Sequence, residues 1–269
     1  MGIDITADPT RFLAAAEPFL RRDSLRHTVI ATAAANARSG RTAGTTIRFL
    51  TVRDAAGAVT GAATTTTEGA VYLGELPADS IPEVAAALLA DGVSVRSVEG
   101  AEVDAAAFVS GWPAATARYS VRLFRLGTLS VPETAGTPRR ATVDDVDTCL
   151  SFATEFSRAI GDPPRFGAAG VRQRIEAGLW WLWERDGVPV TLVARQAEVF
   201  GWARIGPVYT PPQLRGNGFA SALTATVSAV IRAEGADACL FADLANPTSN
   251  KIYRAIGYEP VRDFTHYTV

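Results

Sequence analysis

Lysine is almost missing from this chain. Of the 26 basic residues among 269, only Lys251 is lysine, which leaves 25 arginines. A basic excess is missing as well, because 28 acidic residues bring the formal charge to -2. A dedicated nucleic-acid binder needs a positive surface to meet phosphate, so that class is disfavoured. Cysteine is confined to Cys149 and Cys239, too few for a disulfide framework or a cysteine zinc site. His27 and His266 are too few and too far apart in the chain for a histidine metal cluster. No run, the alanine-rich stretch 31–37 included, approaches the roughly 20 apolar residues of a membrane span. The opening MGIDITADPT lacks the basic start and apolar stretch of a signal peptide. These absences lead us to expect a soluble, reduced, cytoplasmic protein without a metal, a nucleic-acid partner or a membrane partner.

Apolar residues, at 48% against 20% charged, are ample for a packed core. The length allows one large domain or two ordinary ones. Residues 127–138 (GTLSVPETAGTP) carry two prolines and two glycines and no sustained period, so a linker is expected there. That places an N-terminal domain at 1–126 and a second domain at 139–269.

Both halves read as mixed α and β. In the first, residues 11–25 have helical spacing interrupted at Pro18. Strands are expected at 46–53 and 59–66, joined by a turn at 54–57, and at 71–73. Pro82 opens a helix to residue 90. A strand at 93–98, a helix at 103–110 and a strand at 120–126 follow. In the second half, Thr142 with Asp145 three residues on marks a helix start, running to about residue 160. A helix at 168–177 precedes strands at 180–184 and 188–195, which the Asp186-Gly187 turn joins. Then come a strand at 200–210, a long helix at 217–234, a strand at 238–244, a helix at 248–256 and short strands at 258–261 and 265–269.

The stretch with most chemical content is 208–221 (VYTPPQLRGNGFAS). A strand ends, and Arg215-Gly216-Asn217-Gly218 leads straight into the long helix. The first N–H groups of a helix have no intrahelical acceptor and lie at the positive end of its dipole. Gly216 and Gly218 let an anion approach the main chain, and Arg215 adds a fixed charge. The result is a phosphate cradle built mostly of backbone. It is not a Walker loop, because no Gly-Lys-Ser/Thr follows, and it lacks the Gly-x-Gly-x-x-Gly of dinucleotide folds. Taken alone, a glycine-rich turn that merely starts a helix is as good a reading.

The turn resembles the Arg/Gln-x-x-Gly-x-Gly/Ala loop of the GNAT superfamily of acyl-CoA-dependent N-acyltransferases, with Arg215, Gly218 and Ala220 at its defined positions. A second segment, Asn246 through Tyr253 to Gly257-Tyr258, resembles that superfamily's Asn-(x)6-Tyr-(x)3-Gly-Phe/Tyr stretch. One helix and one strand separate the two motifs, as in the family, and the resemblance covers about 139–269. It implies a GNAT-like mixed sheet flanked by helices and acetyl-CoA as acyl donor. It further implies that backbone groups of Val208, Tyr209 and Thr210 pair with the pantetheine arm. The N–H groups of Gly216, Asn217, Gly218, Phe219, Ala220 and Ser221 would hold the diphosphate, and Asn246 would hydrogen-bond near the thioester. Tyr253 would protonate the departing thiolate. A tyrosine, with a pKa of about 10, suits that task; a core aromatic with its hydroxyl satisfied by backbone is the plain alternative.

The implied reaction is direct attack of an amine, small molecule or peptide, on the thioester in a ternary complex. Many relatives place a basic carboxylate on the fourth or fifth strand. Strand 200–210 has none, and Asp243 is the only one in 238–244. Glu184, Glu155, Asp162 or a water chain are further options, and a capping role for Asp243 is equally open. A non-catalytic acyl-CoA-binding sensor or scaffold is the alternative function. Residues 180–183 (WWLW) could form an aromatic wall of the acceptor site or simply pack in the core. The first half shows neither motif, so a degenerate GNAT-like repeat or an unrelated α+β cap is expected, two domains in tandem.

Overall fold

A computed structural model describes residues 1–42, 45–164 and 166–269. The chain forms two compact units: Met1–Leu123 with Ala242–Asn246 and Val261–Val269, and Phe124–Phe241 with Pro247–Pro260. The segment 127–138 therefore lies within the second unit.

In the first unit, β1 (Gly2–Thr6), β2 (Ile47–Arg53), β3 (Val59–Thr66) and β4 (Ala70–Leu73) pair antiparallel in succession. β4 then pairs in parallel with β5 (Ser97–Ala101), and β5 pairs antiparallel with the 264–268 part of β12 (Tyr258–Thr268). The expected strand at 93–98 is displaced towards the C-terminus. Pairing starts only at Ser97, opposite Ala70, while the Arg96 N–H donates back to Gly69 O. The two short strands expected at the C-terminus are the single strand β12; Pro260 and the polar run after it hide the continuity, and Asp263 on it takes both Arg122 nitrogens at 2.6 and 2.7 Å.

Helices cover both faces of this sheet. α1 (Pro9–Leu20) starts at Asp8, whose side chain accepts from the N–H groups of Thr10 and Arg11. Pro18 sits in its last turn, the chain tightens into a 3-10 turn, and α2 (Thr28–Arg38) begins afresh. The alanine-rich run 31–37 offers too little contrast for a period, so α2 escapes sequence reading. On that face Phe12 stacks on Phe49 with centroids 4.8 Å apart. The opposite face buries Leu50, Val52, Leu73 and Val98 beneath Val84 and Leu88 of α3 (Ile81–Ala90) and Phe108 of α4 (Glu102–Val109). β6 (Thr116–Leu126) contributes residues to both units.

In the second unit, β7 (Thr137–Arg140), β8 (Trp180–Arg185), β9 (Val188–Arg195) and β10 (Trp202–Tyr209) pair antiparallel in that order. β10 pairs in parallel with β11 (Asp237–Asp243). Asp186, at positive φ, and Gly187 make the expected hairpin turn between β8 and β9. α5 (Val146–Ala159) and α6 (Ala168–Glu176) lie on one sheet face, where Cys149, Ala153, Val171 and Ile175 pack on Trp180, Leu182, Leu192 and Ala194. α7 (Phe219–Ala233) packs on β8, β9 and β10. Glu234, just past its end, reaches Arg195 at 2.6 Å and Arg140, whose guanidinium lies over Trp181. α8 (Pro247–Ala255) precedes β12.

The 127–138 segment is pinned along its length. Gly127 and Ser130 donate to Gly257 O and Ile256 O. The Thr134 hydroxyl donates to Asn217 O, and Trp183 Nε1 donates to Ala135 O at 2.9 Å. Its glycines reflect close approach: a Cβ on Gly127 would meet Glu259, and one on Gly136 would meet Glu184 O and Trp183. Helix 217–234 is shorter than expected, because Asn217 and Gly218 belong to the turn before it.

Candidate functional site

Two features of the second unit converge on the end of β10. The first is a divergence of strands. β10 is in parallel register with β11 only from Trp202, opposite Asp237, to Ile205, opposite Leu240. On its other side the register with β9 slips between Ile205 and Val208, where three steps on β10 match two on β9. Such a bulge re-aims a strand. Residues 206–209 therefore leave β11, and their backbone edge on that side has no partner strand among the described residues.

The second feature is the turn that follows. The chain passes through a 3-10 turn at Pro212–Leu214 and reaches α7 by way of Gly216 and Gly218, both in the left-handed region at φ 83° and 81°. A side chain there would strain the backbone. A Cβ on Gly216 would meet nothing within 4 Å, so this turn faces open space. The first N–H with an acceptor is that of Ala222, bonded to Gly218 O at 3.0 Å. The six before it, from Gly216, Asn217, Gly218, Phe219, Ala220 and Ser221, donate to no acceptor among the described residues. Asn217 folds its side chain back to Leu214 O and Arg215 O, and Thr134 holds its carbonyl, so the turn is braced from behind. Arg215 Nε donates to Thr210 O at 3.0 Å, which ties its guanidinium to the end of β10. The donors fit an anion with several oxygens, such as a diphosphate.

Val208, Tyr209 and Thr210 lie at the divergence itself. The Thr210 hydroxyl shares a 2.9 Å hydrogen bond with that of buried Thr191. The Tyr209 side chain turns to the α5 face. Its ring lies 5.8 Å from that of Phe152, and its hydroxyl donates to Glu155 Oε2 at 2.7 Å. Burial first, then this hydrogen bond, push the Tyr209 phenol up to about 12.

Tyr253 is on α8, 8% exposed, with its ring 6.2 Å from that of Tyr258 in an edge-on arrangement. Its hydroxyl has no hydrogen-bond partner among the described residues. Burial raises its pKa to about 12. Tyr258 beside it differs, since its hydroxyl is bonded to Ser228 at 2.7 Å. The plain reading of Tyr253, a hydroxyl satisfied by backbone, is therefore not what this helix presents. Gly257, which closes the second motif, is required sterically: a Cβ there would lie 1.8 Å from Thr128 O.

Asp243 and Asn246 belong to the first unit. Both are exposed, and they close one turn: Asp243 Oδ1 accepts from Ala245 N–H at 2.8 Å, and its carbonyl accepts from Asn246 N–H. The Glu184 carboxylate is ion-paired with Arg139 at 2.7 Å. The tryptophan run is core. Trp180, Trp181, Leu182 and Trp183 are all at most 8% exposed. The Tyr209–Glu155 contact had no signal in the sequence, because the two residues are 54 positions apart and no motif links them.

In the first unit, the connection from β4 to α3 differs from the β10–α7 turn. The Gly74 N–H donates to Ala62 O on β3, the Ala62 N–H donates to Glu75 O, and a Cβ on Gly61 would meet Leu76 and Pro77. Ser80 is fully buried, and Pro82 removes one N–H from the first turn of α3.

Residues 188–267 match the family model of FR47-like proteins. No curated protein matches the sequence. The whole chain is similar in fold to a GNAT-family acetyltransferase from Colwellia psychrerythraea, at TM-score 0.63 and 13% identity with 100% of each chain covered. A tandem GNAT protein from the clavulanic acid biosynthesis pathway has TM-score 0.60 and 14% identity, over 100% of this chain and 98% of its own. A GCN5-related N-acetyltransferase from Kribbella flavida has TM-score 0.55 and 20% identity, over 89% and 95%. Among the described residues no helix is long and apolar enough to cross a membrane.

Proposed function

We propose that this member of the GNAT superfamily is an N-acyltransferase that moves an acetyl group from acetyl-CoA to an amine by direct attack in a ternary complex. The observation that carries this reading is the run of six N–H groups at Gly216 to Ser221 without an acceptor among the described residues, beside Arg215 and just past the divergence of β10 from β11. Acetyl-CoA would supply the acyl group as a thioester.

The chain's own residues divide the remaining work. The amides at 216–221 and the Arg215 guanidinium would bind the diphosphate, helped by the positive end of α7. The unpaired edge of β10 at Val208, Tyr209 and Thr210 would take the pantetheine arm as an added strand. Asn246 would hydrogen-bond to that arm. N–H groups at the end of β10 would polarise the thioester carbonyl. Tyr253 would hold a proton for the departing sulfur; its raised pKa keeps it protonated at neutral pH. Asp243 on β11 and Glu155 on α5 are candidates for the base, and Asp243→Asn against Glu155→Gln separates them.

Isothermal calorimetry with acetyl-CoA, followed by an assay of free thiol with primary amines, tests the proposal. Binding with thiol release supports it. Absence of binding overturns it, and binding without release in any amine mixture favours the sensor reading.

A further inference from the structure

Glu155 stands at the second turn from the end of α5, with its carboxylate against the end of β10. Only one of its oxygens is engaged: Oε2 takes the Tyr209 hydroxyl at 2.7 Å, and no other hydrogen bond or ion pair involves Glu155 among the described residues. The side chain is half-buried rather than fully solvated. Its partner, Tyr209, is the residue whose backbone forms the open edge of β10, and its ring is wedged by Phe152. The carboxylate is thus held by a rigid phenol at the strand end from which the acyl group would be presented, with Oε1 left for another donor. Asp147 and Arg158, also on α5, line the same cavity as Glu155, and the Arg215 charge reaches the Tyr209 hydroxyl from the cradle turn. Of the other candidate carboxylates, Asp243 is exposed and accepts from the Ala245 N–H within its own turn, and Glu184 is paired with Arg139.

We propose that Glu155 is a catalytic residue: its Oε1 binds the ammonium of a primary-amine acceptor and takes its proton, while Tyr209 holds the carboxylate in place. This rests on the acyltransferase reading. In the step, one proton passes from the ammonium to Glu155 and on to solvent. The nitrogen lone pair forms the N–C bond, the C–S bond breaks, and its electron pair leaves on sulfur. Tyr253 gives sulfur its hydroxyl proton and regains one from the remaining amine N–H, directly or through water. The sum is acylated amine, thiol and one proton released.

Glu155→Gln is the informative change, because the amide oxygen still accepts from Tyr209 and the packing survives. Wild type, Glu155→Gln, Glu155→Asp, Tyr209→Phe and Asp243→Asn are assayed for thiol release with acetyl-CoA and agmatine, tyramine, glycinamide and glucosamine. The amine turned over fastest is then titrated by calorimetry into each protein saturated with CoA. Expected are a loss of at least about 100-fold in kcat for Glu155→Gln and at least about tenfold weaker amine binding to its CoA complex, with unchanged acetyl-CoA affinity. Part of the rate returns at pH 10, where the amine is unprotonated without help. Glu155→Asp restores part of the rate at pH 7.5, and Tyr209→Phe loses about tenfold in kcat. Full activity and amine binding in Glu155→Gln, or their loss in Asp243→Asn instead, overturns the assignment and leaves the acyltransferase reading standing. Acetyl-CoA binding without turnover of any of these amines by wild type overturns both.

Discussion

Arg215 donates from Nε to the carbonyl of Thr210 at 3.0 Å, across the turn between β10 and α7. The same side chain that brings positive charge to the cradle also fixes the angle at which the strand enters it. A lysine has the charge but no Nε–H to donate in that geometry. Arg215→Lys is therefore expected to keep only part of the function. Calorimetry should show acetyl-CoA affinity lowered by about three- to tenfold in Arg215→Lys and by about 30-fold or more in Arg215→Ala. Equal losses in both would mean that charge has no part.

The glycines of the same turn separate charge from shape. Gly216 has φ 83° and open space beyond its Cβ position, so asparagine and aspartate each cost about 1 kcal/mol of backbone strain. They differ only in charge. Gly216→Asn should bind acetyl-CoA within a few-fold of wild type, and Gly216→Asp should lose at least about 100-fold. The comparison is read by calorimetry at low ionic strength.

Tyr253→Phe removes a hydroxyl that has no partner among the described residues. Stability should therefore change by less than about 1 kcal/mol in urea denaturation, and acetyl-CoA should bind as before. Thiol release with the amine substrate should fall by about 100-fold or more. A stability loss without a rate loss would make Tyr253 a packing residue.

His27 predicts acid sensitivity of the first unit. It is fully buried, its Nε2 accepts from the Glu75 N–H at 3.2 Å, and its Nδ1 faces Leu20 O at 3.3 Å. That pattern requires the neutral ring with the proton on Nδ1. Burial, the largest cause, lowers its pKa below 6.5. The unfolded chain thus takes up a proton more readily than the folded one. Stability is complete above pH 6.5 and declines as pH falls below it towards the folded pKa. Urea denaturation at pH 7.5, 6.0 and 5.0 should show the decline, and His27→Gln should flatten it.

Asp145 predicts a different window. Its carboxylate takes the two terminal Arg139 nitrogens at 2.6 and 2.8 Å and the Thr142 N–H at 2.7 Å, which closes the capping box before α5. The Arg139 hydrogen bonds, first among the causes, bring its pKa down to about 2. This stabilisation is present above the unfolded value near 4 and is lost as pH falls to about 2. Asp145→Asn should cost about 2–3 kcal/mol at pH 7, measured by thermal or urea unfolding.

Local periods and turn residues by themselves determined most of the elements of this chain. Thr142 with Asp145 marked the start before α5, Asp186-Gly187 the hairpin, and Arg215 to Gly218 the turn into α7, because caps and positive-φ turns depend on near neighbours. The alanine run of α2 and the strand β7 inside a proline-rich segment carried no such signal, and only packing and pairing decided them. The same division holds at the site. Donor amides at a helix start follow from sequence, since every helix leaves its first N–H groups unpaired. That β10 leaves β11 after Ile205, and that Tyr209 meets a carboxylate 54 residues earlier in the chain, depend on strand register and helix docking. Those are contacts between distant segments, and no window of sequence contains both partners.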